Sequence, residues 1–199
     1  MRLPNDFDST KAYDGTGGFT PLPVGGHVCR IVGAKAGQYR TGADMIEVAF
    51  DIADGSEFDG MFKERFDSMR KARPDAKWPN GGIFRTGILT KDGKTSGYFK
   101  GLITAVEESN PGYSFKAAGC DEGTLKGKMV GFNFGEEEYK GSDGKIRSAV
   151  KAFYAISVQT VRGGIQPPAK KAYKMSPGEE MAARGFTEAA AEDVPDLPF

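Results

Sequence analysis

The sequence predicts a mainly β protein: a five-stranded, partly open barrel with one helix between strands 3 and 4, a long insertion after strand 3, and a disordered acidic C-terminal tail. Three observations carry this expectation. Apolar and polar residues alternate with period two in several short stretches, as half-buried strands require. One stretch, and only one, changes to helical spacing. Finally, 28 Gly and 11 Pro in 199 residues favour short strands and turns over long helices.

The elements follow in order. Val28 to Ala34 alternates and forms the first strand. In Met45 to Ile52, residues Ile46, Val48, Phe50 and Ile52 point inward while Glu47 and Asp51 point outward. Met61 to Phe66 is read as the third strand, and residues 67–95 as an insertion of about 29 residues that serves as a lid or a dimer contact. In Tyr98 to Glu108, Phe99, Leu102, Ile103 and Val106 recur at helical spacing, and Asn110-Pro111-Gly112 stops the helix. Met129 to Tyr139 puts Val130, Phe132 and Phe134 on one face. The turn Lys140 to Lys145 follows, and Ile146 to Val161 returns with Val150, Ala152, Tyr154 and Ile156 toward the core. Three strands, a helix and two strands is the order of the oligonucleotide-binding barrel, which binds with strands 2 and 3 and two of its loops.

Domain organisation divides at changes of composition. Residues 1–18 read as a flexible N-terminal arm, 19–162 as the barrel domain, 163–191 as a flexible linker and 192–199 as an acidic tip. Gly163-Gly164 and Pro167-Pro168 break the last strand, and the stretch beyond has too few large apolar residues to build a core. Charge divides the same way. From Met175 to Phe199 one basic residue, Arg184, stands against six acidic ones, a net −5, so the remaining 26 basic and 21 acidic residues leave the body at +5. A basic body with an acidic tail suits a protein that holds a polyanion.

The tip, Asp193, Asp196, Leu197, Pro198 and Phe199, joins acidic residues to a terminal aromatic carboxylate, which a pocket with an apolar slot and a cation can hold. Asp-Val-Pro-Asp-Leu-Pro-Phe resembles the acidic tip of bacterial and phage single-stranded DNA-binding proteins, with its Asp run broken. Phe19-Thr20-Pro21-Leu22-Pro23-Val24-Gly25, Tyr98 to Glu107, and Leu125-Lys126-Gly127-Lys128 through Phe153 resemble a phage-encoded family of small replication and recombination proteins with single-strand-binding barrels. The resemblance implies single-stranded DNA as ligand and recruitment of host or phage replication and repair proteins through the tip. It also implies a cytoplasmic location in the phage-infected bacterial cell.

Single-strand binding needs cations along phosphates and flat rings under bases. Ten residues are the candidates: Tyr39 and Arg40 in the first loop, Lys63 and Arg65 on the third strand, Arg73 and Trp78 in the insertion, and Lys145, Arg147, Lys151 and Phe153 around the last hairpin. Each has a plainer reading. Basic residues alternating with apolar ones mark any half-exposed strand, Trp78 serves equally to anchor its own loop, and a one-residue slip in register exchanges Phe153 with Tyr154.

Other classes fare worse. The single histidine, His27, has no cysteine or second histidine nearby, and Asp51, Asp54, Glu57 and Asp59 lie in a turn where Asp and Gly serve backbone geometry. No enzyme, cofactor or metal is expected. Cys29 and Cys120 read as reduced core thiols. No apolar run approaches the roughly 20 residues that cross a bilayer, and residues 1–19 lack an export signal. The rival expectations are an adaptor that binds only proteins, with the barrel as scaffold, and a phage structural component.

Overall fold

A computed structural model describes residues 20–175 and Glu179. Strands β1 (Gly25–Gln38), β2 (Asp44–Ile52), β3 (Ile83–Gly87), β4 (Met129–Lys140) and β5 (Ile146–Ile156) form one antiparallel sheet in the order β3-β2-β1-β4-β5. Helix α1 (Met61–Ala72) stands between β2 and β3, α2 (Gly97–Ser109) between β3 and β4, and the short α3 (Val158–Arg162) follows β5. β1 is the pivot. Its first residues, Gly25 to Arg30, pair with β4, and Cys29 to Gln38 pair with β2, with a bulge at Val32 that bends the strand between its partners. The edges β3 and β5 approach each other without a ladder, so the sheet stays open there.

The expected core forms as alternation requires. Ile46, Val48, Phe50 and Ile52 are buried, as are Val130, Phe132 and Phe134. Phe50 is the hub of the aromatic cluster, with ring centroids 4.4 Å from Phe132, 5.8 Å from Phe62 and 5.9 Å from Phe134, the last two in edge contacts. α2 closes one end of the sheet, burying Leu102, Ile103, Ala105 and Val106. It stops at Asn110 as expected, whose side chain bonds both the Val106 carbonyl and the backbone of Met129 on β4. Among the described residues no helix is long and apolar enough to cross a membrane.

Four expectations are corrected. Met61 to Phe66 is not the third strand but the first half of α1. Phe62, Phe66 and Met69 also fit a 3.6-residue period, and a six-residue window cannot separate the two. A non-local contact decides it: the Asp51 carboxylate, expected to point outward, is buried and accepts the N–H groups of Phe62 and Lys63 at 2.9 and 3.1 Å, capping α1 from β2. Second, the third strand lies inside the supposed insertion, as Ile83–Gly87 paired with β2, so residues 67–95 complete the sheet and are not an appended lid. Third, the last strand ends at Ile156, not Val161, because Ser157 caps α3 through its hydroxyl. Fourth, residues 163–175 lie on the body, with backbone bonds to β4, and do not form a free linker. Cys29 is buried as expected, while Cys120 is exposed.

Candidate nucleic-acid interface

Because β3 and β5 are unpaired along their outer edges, the opening between them becomes a trough of about 550 Å³. Rings and cations meet in it. Tyr39 enters from the turn after β1, held by its N–H to the Ala43 carbonyl. Arg85 comes from β3, Lys91 from the loop after it, Tyr98 from the first turn of α2, and Lys151 and Phe153 from β5. Lys171 reaches in from the segment after α3. The lining thus carries four cations against one carboxylate, Glu137.

Register explains the cations. Lys35, Glu47 and Arg85 lie side by side on β1, β2 and β3, with Glu47 bonded to Lys35 at 3.0 Å and to the Arg85 Nε at 2.6 Å. Partial burial pulls the Glu47 carboxyl upward, but the hydrogen bonds from Lys35 and Arg85 together outweigh it and hold the group below its ordinary value. One anion therefore spaces two cations, leaving the row net positive. Lys151 pairs with Glu137 across the β4–β5 hairpin at 2.6 Å.

A bulge decides the rings. Tyr154 pairs with Asn133 and Ala152 with Phe134, so Phe153 is the extra residue on β5 and the parity of the strand reverses there. Ala152 and Ala155 pack on the core, and Tyr154, expected inside, is 41% exposed. Phe153 leaves the core face as expected, yet it is only 6% exposed because Pro168 and Lys171 cover it, the Lys171 ammonium 3.7 Å from the ring centroid. Tyr154 instead stacks on Tyr98, 56% exposed, with centroids 6.0 Å apart and planes within 9°. That parallel pair offers open ring surface beside the trough.

Of the ten candidates, Tyr39, Lys151 and Phe153 come together in the trough. The rest disperse. Arg65, on α1, lines a neighbouring cavity of about 520 Å³ that shares Lys151. Lys63, also on α1, pairs with Asp67 at 2.6 Å. Arg73 follows the same helix, exposed, and Arg40 is exposed in the β1–β2 turn. Lys145 and Arg147 sit at the tip of the β4–β5 hairpin, where Asp143 accepts the Lys145 N–H and pairs with Arg147 at 2.8 Å. Trp78 is an anchor: its Nε1 donates to the carbonyls of Phe50 and Gly82, and its ring packs on Phe66 at 5.2 Å. Asp193, Asp196, Leu197, Pro198 and Phe199 lie outside the described residues.

Sequence reading missed Lys91, Tyr98 and Lys171; it reached Tyr154 only as the outcome of a register slip and Arg85 only as one of the basic residues of the supposed insertion. For Tyr98 a signal existed, since it precedes the apolar stripe of α2 and falls off its buried face; Lys171 carried none, because nothing local says that its segment folds back.

The remaining polar clusters have structural work. His27 bonds Asp54 at 3.2 Å and the Pro23 carbonyl at 3.0 Å, and packs edge-on against Phe134. Asp54 and Asp59 accept backbone N–H groups within their own turn. Among the described residues no three His, Cys, Asp or Glu converge as metal ligands would. No protein-family model and no curated protein sequence matches this chain.

Proposed function

We propose that the protein binds single-stranded DNA without sequence preference, in phage DNA replication or recombination. The observation that carries the reading is the trough itself, where Tyr39 and the Tyr98–Tyr154 pair lie beside Arg85, Lys91, Lys151 and Lys171. Rings of this kind stack on any base, each stack contributing about 1–3 kcal/mol, and the cations follow phosphates. The fold supports the same reading. A sheet ordered β3-β2-β1-β4-β5, open between β3 and β5 and with a helix before β4, matches the chain order of an oligonucleotide-binding barrel left unclosed at one seam. The seam is where the trough runs.

Titration of the full chain with labelled oligo-dT at low and high salt tests this. Binding should weaken with salt, with a slope of about −0.7 per phosphate neutralised. A protein that fails to bind at low salt would instead be an adaptor for other proteins. The acidic residues 192–199 are assigned, on their charge and on the resemblance of their pattern, to recruiting replication or repair proteins. Removing them should leave oligonucleotide affinity equal or slightly higher and abolish capture of those partners; undiminished capture defeats that assignment.

A further inference from the structure

Past α3 the chain turns back over the outer side of β4 and β5. Ile165 packs against Gly26 of β1, and the Gln166 carbonyl accepts from the Asn133 side chain at 3.0 Å. Pro168 lies over Gly135, where any side chain would collide with it and with Phe153. Lys171 then adds a short parallel bridge to β4, donating its N–H to the Glu136 carbonyl and accepting from the Glu138 N–H, each at 2.9 Å. The bridge uses the part of β4 beyond Phe134, where pairing with β1 has ended. β4 thereby gains a neighbour on an edge that would otherwise be bare.

The position of this strap matters because β4 carries three consecutive glutamates: Glu137 lines the trough, while Glu136 and Glu138 alternate to the other face of the strand. Lys170 bonds Glu136 at 3.2 Å and Glu138 at 2.8 Å. The Ser148 hydroxyl and then Lys170 hold the Glu136 carboxyl below its ordinary value; for Glu138 Lys170 comes first, then the Tyr173 N–H. Without the strap, Arg85, Lys91 and Lys151 would lose the Lys171 charge beside Glu137, and the carboxylates of Glu136 and Glu138 on the other face of β4 would stand uncompensated behind it. With the strap, Lys171 brings the lining to four cations against Glu137, and Lys170 pairs with the two carboxylates on the other face. Glu136 and Glu138 adjoin Glu137 along the strand, at a rise of about 3.3 Å per residue, within the Debye length of about 8–10 Å. An ammonium has three N–H donors, so Lys171 can rest on the Phe153 ring and still reach a phosphate.

We infer that residues 164–175 are a working part of the nucleic-acid trough: Lys171 contacts the bound strand directly, and Lys170 is a positioning residue that neutralises the acidic edge of β4. This rests on the single-strand reading above.

The test uses the full chain and labelled oligo-dT between about 50 and 200 mM salt, comparing the unaltered protein with Lys170→Ala/Lys171→Ala and with Lys116→Ala, an exposed lysine outside the trough lining. The double variant should bind roughly fivefold more weakly with a salt slope shallower by about 0.7, one phosphate contact, while Lys116→Ala binds as the unaltered protein does. Adding Glu136→Gln and Glu138→Gln to Lys170→Ala should restore affinity to within about twofold, a rescue that depends on charge and that loss of fold would not show. Unaltered binding by the double variant, tighter binding, or failure of the rescue overturns the inference while leaving the reading intact. Absence of binding by the unaltered chain defeats the reading, and the inference with it.

Discussion

β2 and β5 both form hairpins with a neighbour, yet they are built for different ends. β2 lies between β3 and β1, bonded on both sides, and its alternation runs from Ile46 to Phe50, after which Asp51 is buried as well. β5 is an edge, with one bonded neighbour, a bulge at Phe153 and only one buried side chain among its eleven residues. A strand bonded on both sides has no backbone left for a ligand, and its side chains go to the core. An edge strand with an extra residue turns aromatic side chains outward beside an unpaired backbone. The central strand thus carries stability and the edge carries the candidate site.

The sharpest way to break this contrast is Phe50→Ala. Phe50 is fully buried at the centre of the aromatic cluster, so its truncation should cost about 3–5 kcal/mol in denaturant unfolding. Val150→Ala on β5 should cost less than half of that, and equal losses would show that the edge bears as much stability as the centre.

Next comes the function of the edge. Tyr98→Ala with Tyr154→Ala should lower oligo-dT affinity by about 1–3 kcal/mol for each base unstacked, while the unfolding midpoint moves little, because both rings are largely exposed. A large stability loss with unchanged affinity would reverse the assignment.

Gly131→Ala probes the join between the two regions. An added Cβ would lie 2.5 Å from Val161 and 3.0 Å from the carbonyl oxygens of Ile156 and Ser157, so about 1–3 kcal/mol of destabilisation is expected. Val161→Ala in the same chain should recover only part of it, since the two backbone oxygens cannot withdraw.

Asp51→Ala removes the cap that β2 supplies to α1 and should cost about 1 kcal/mol, read by thermal or denaturant unfolding. Full recovery in Asp51→Asn would assign the effect to the hydrogen bonds and not to the charge.

The smallest expected effect is that of acid on the strap. The Glu136 and Glu138 carboxyls titrate below their unfolded value of about 4.3. Their contribution is therefore complete above that pH and is lost as pH falls through the folded values. Protection of the Lys171 and Glu138 amides against hydrogen exchange, corrected for intrinsic rates, should drop on acidification below about pH 4. Protection that does not change would mean that the backbone bonds hold the strap without the ion pairs.

Much of this architecture was legible from residues alone, and the reasons differ by element. Alternation identified β2 and β4 and placed Phe50, Phe132 and Phe134 in the core, because both strands have one face fully covered. Spacing identified α2 and its stop at Asn110. The trough was only half legible. Tyr39, Lys151 and Phe153 follow from loop and strand positions, whereas Tyr98 and Tyr154 meet only because a bulge reverses β5 at the point where α2 passes.

By itself the sequence determined those elements whose pattern is local and repeated: the central strands, the long helix, and an acidic stretch set apart from a basic body. Tertiary structure decided whatever depends on a bond between distant residues. Met61–Ala72 is a helix because Asp51 caps it, β3 is a strand because β2 offers it an edge, Phe153 bulges opposite β4, and residues 163–175 hold to the body because β4 has an unpaired stretch beyond β1. The physical reason is common to all four: a short segment offers its backbone more than one way to satisfy its N–H and C=O groups, and the partner that selects among them lies elsewhere in the chain.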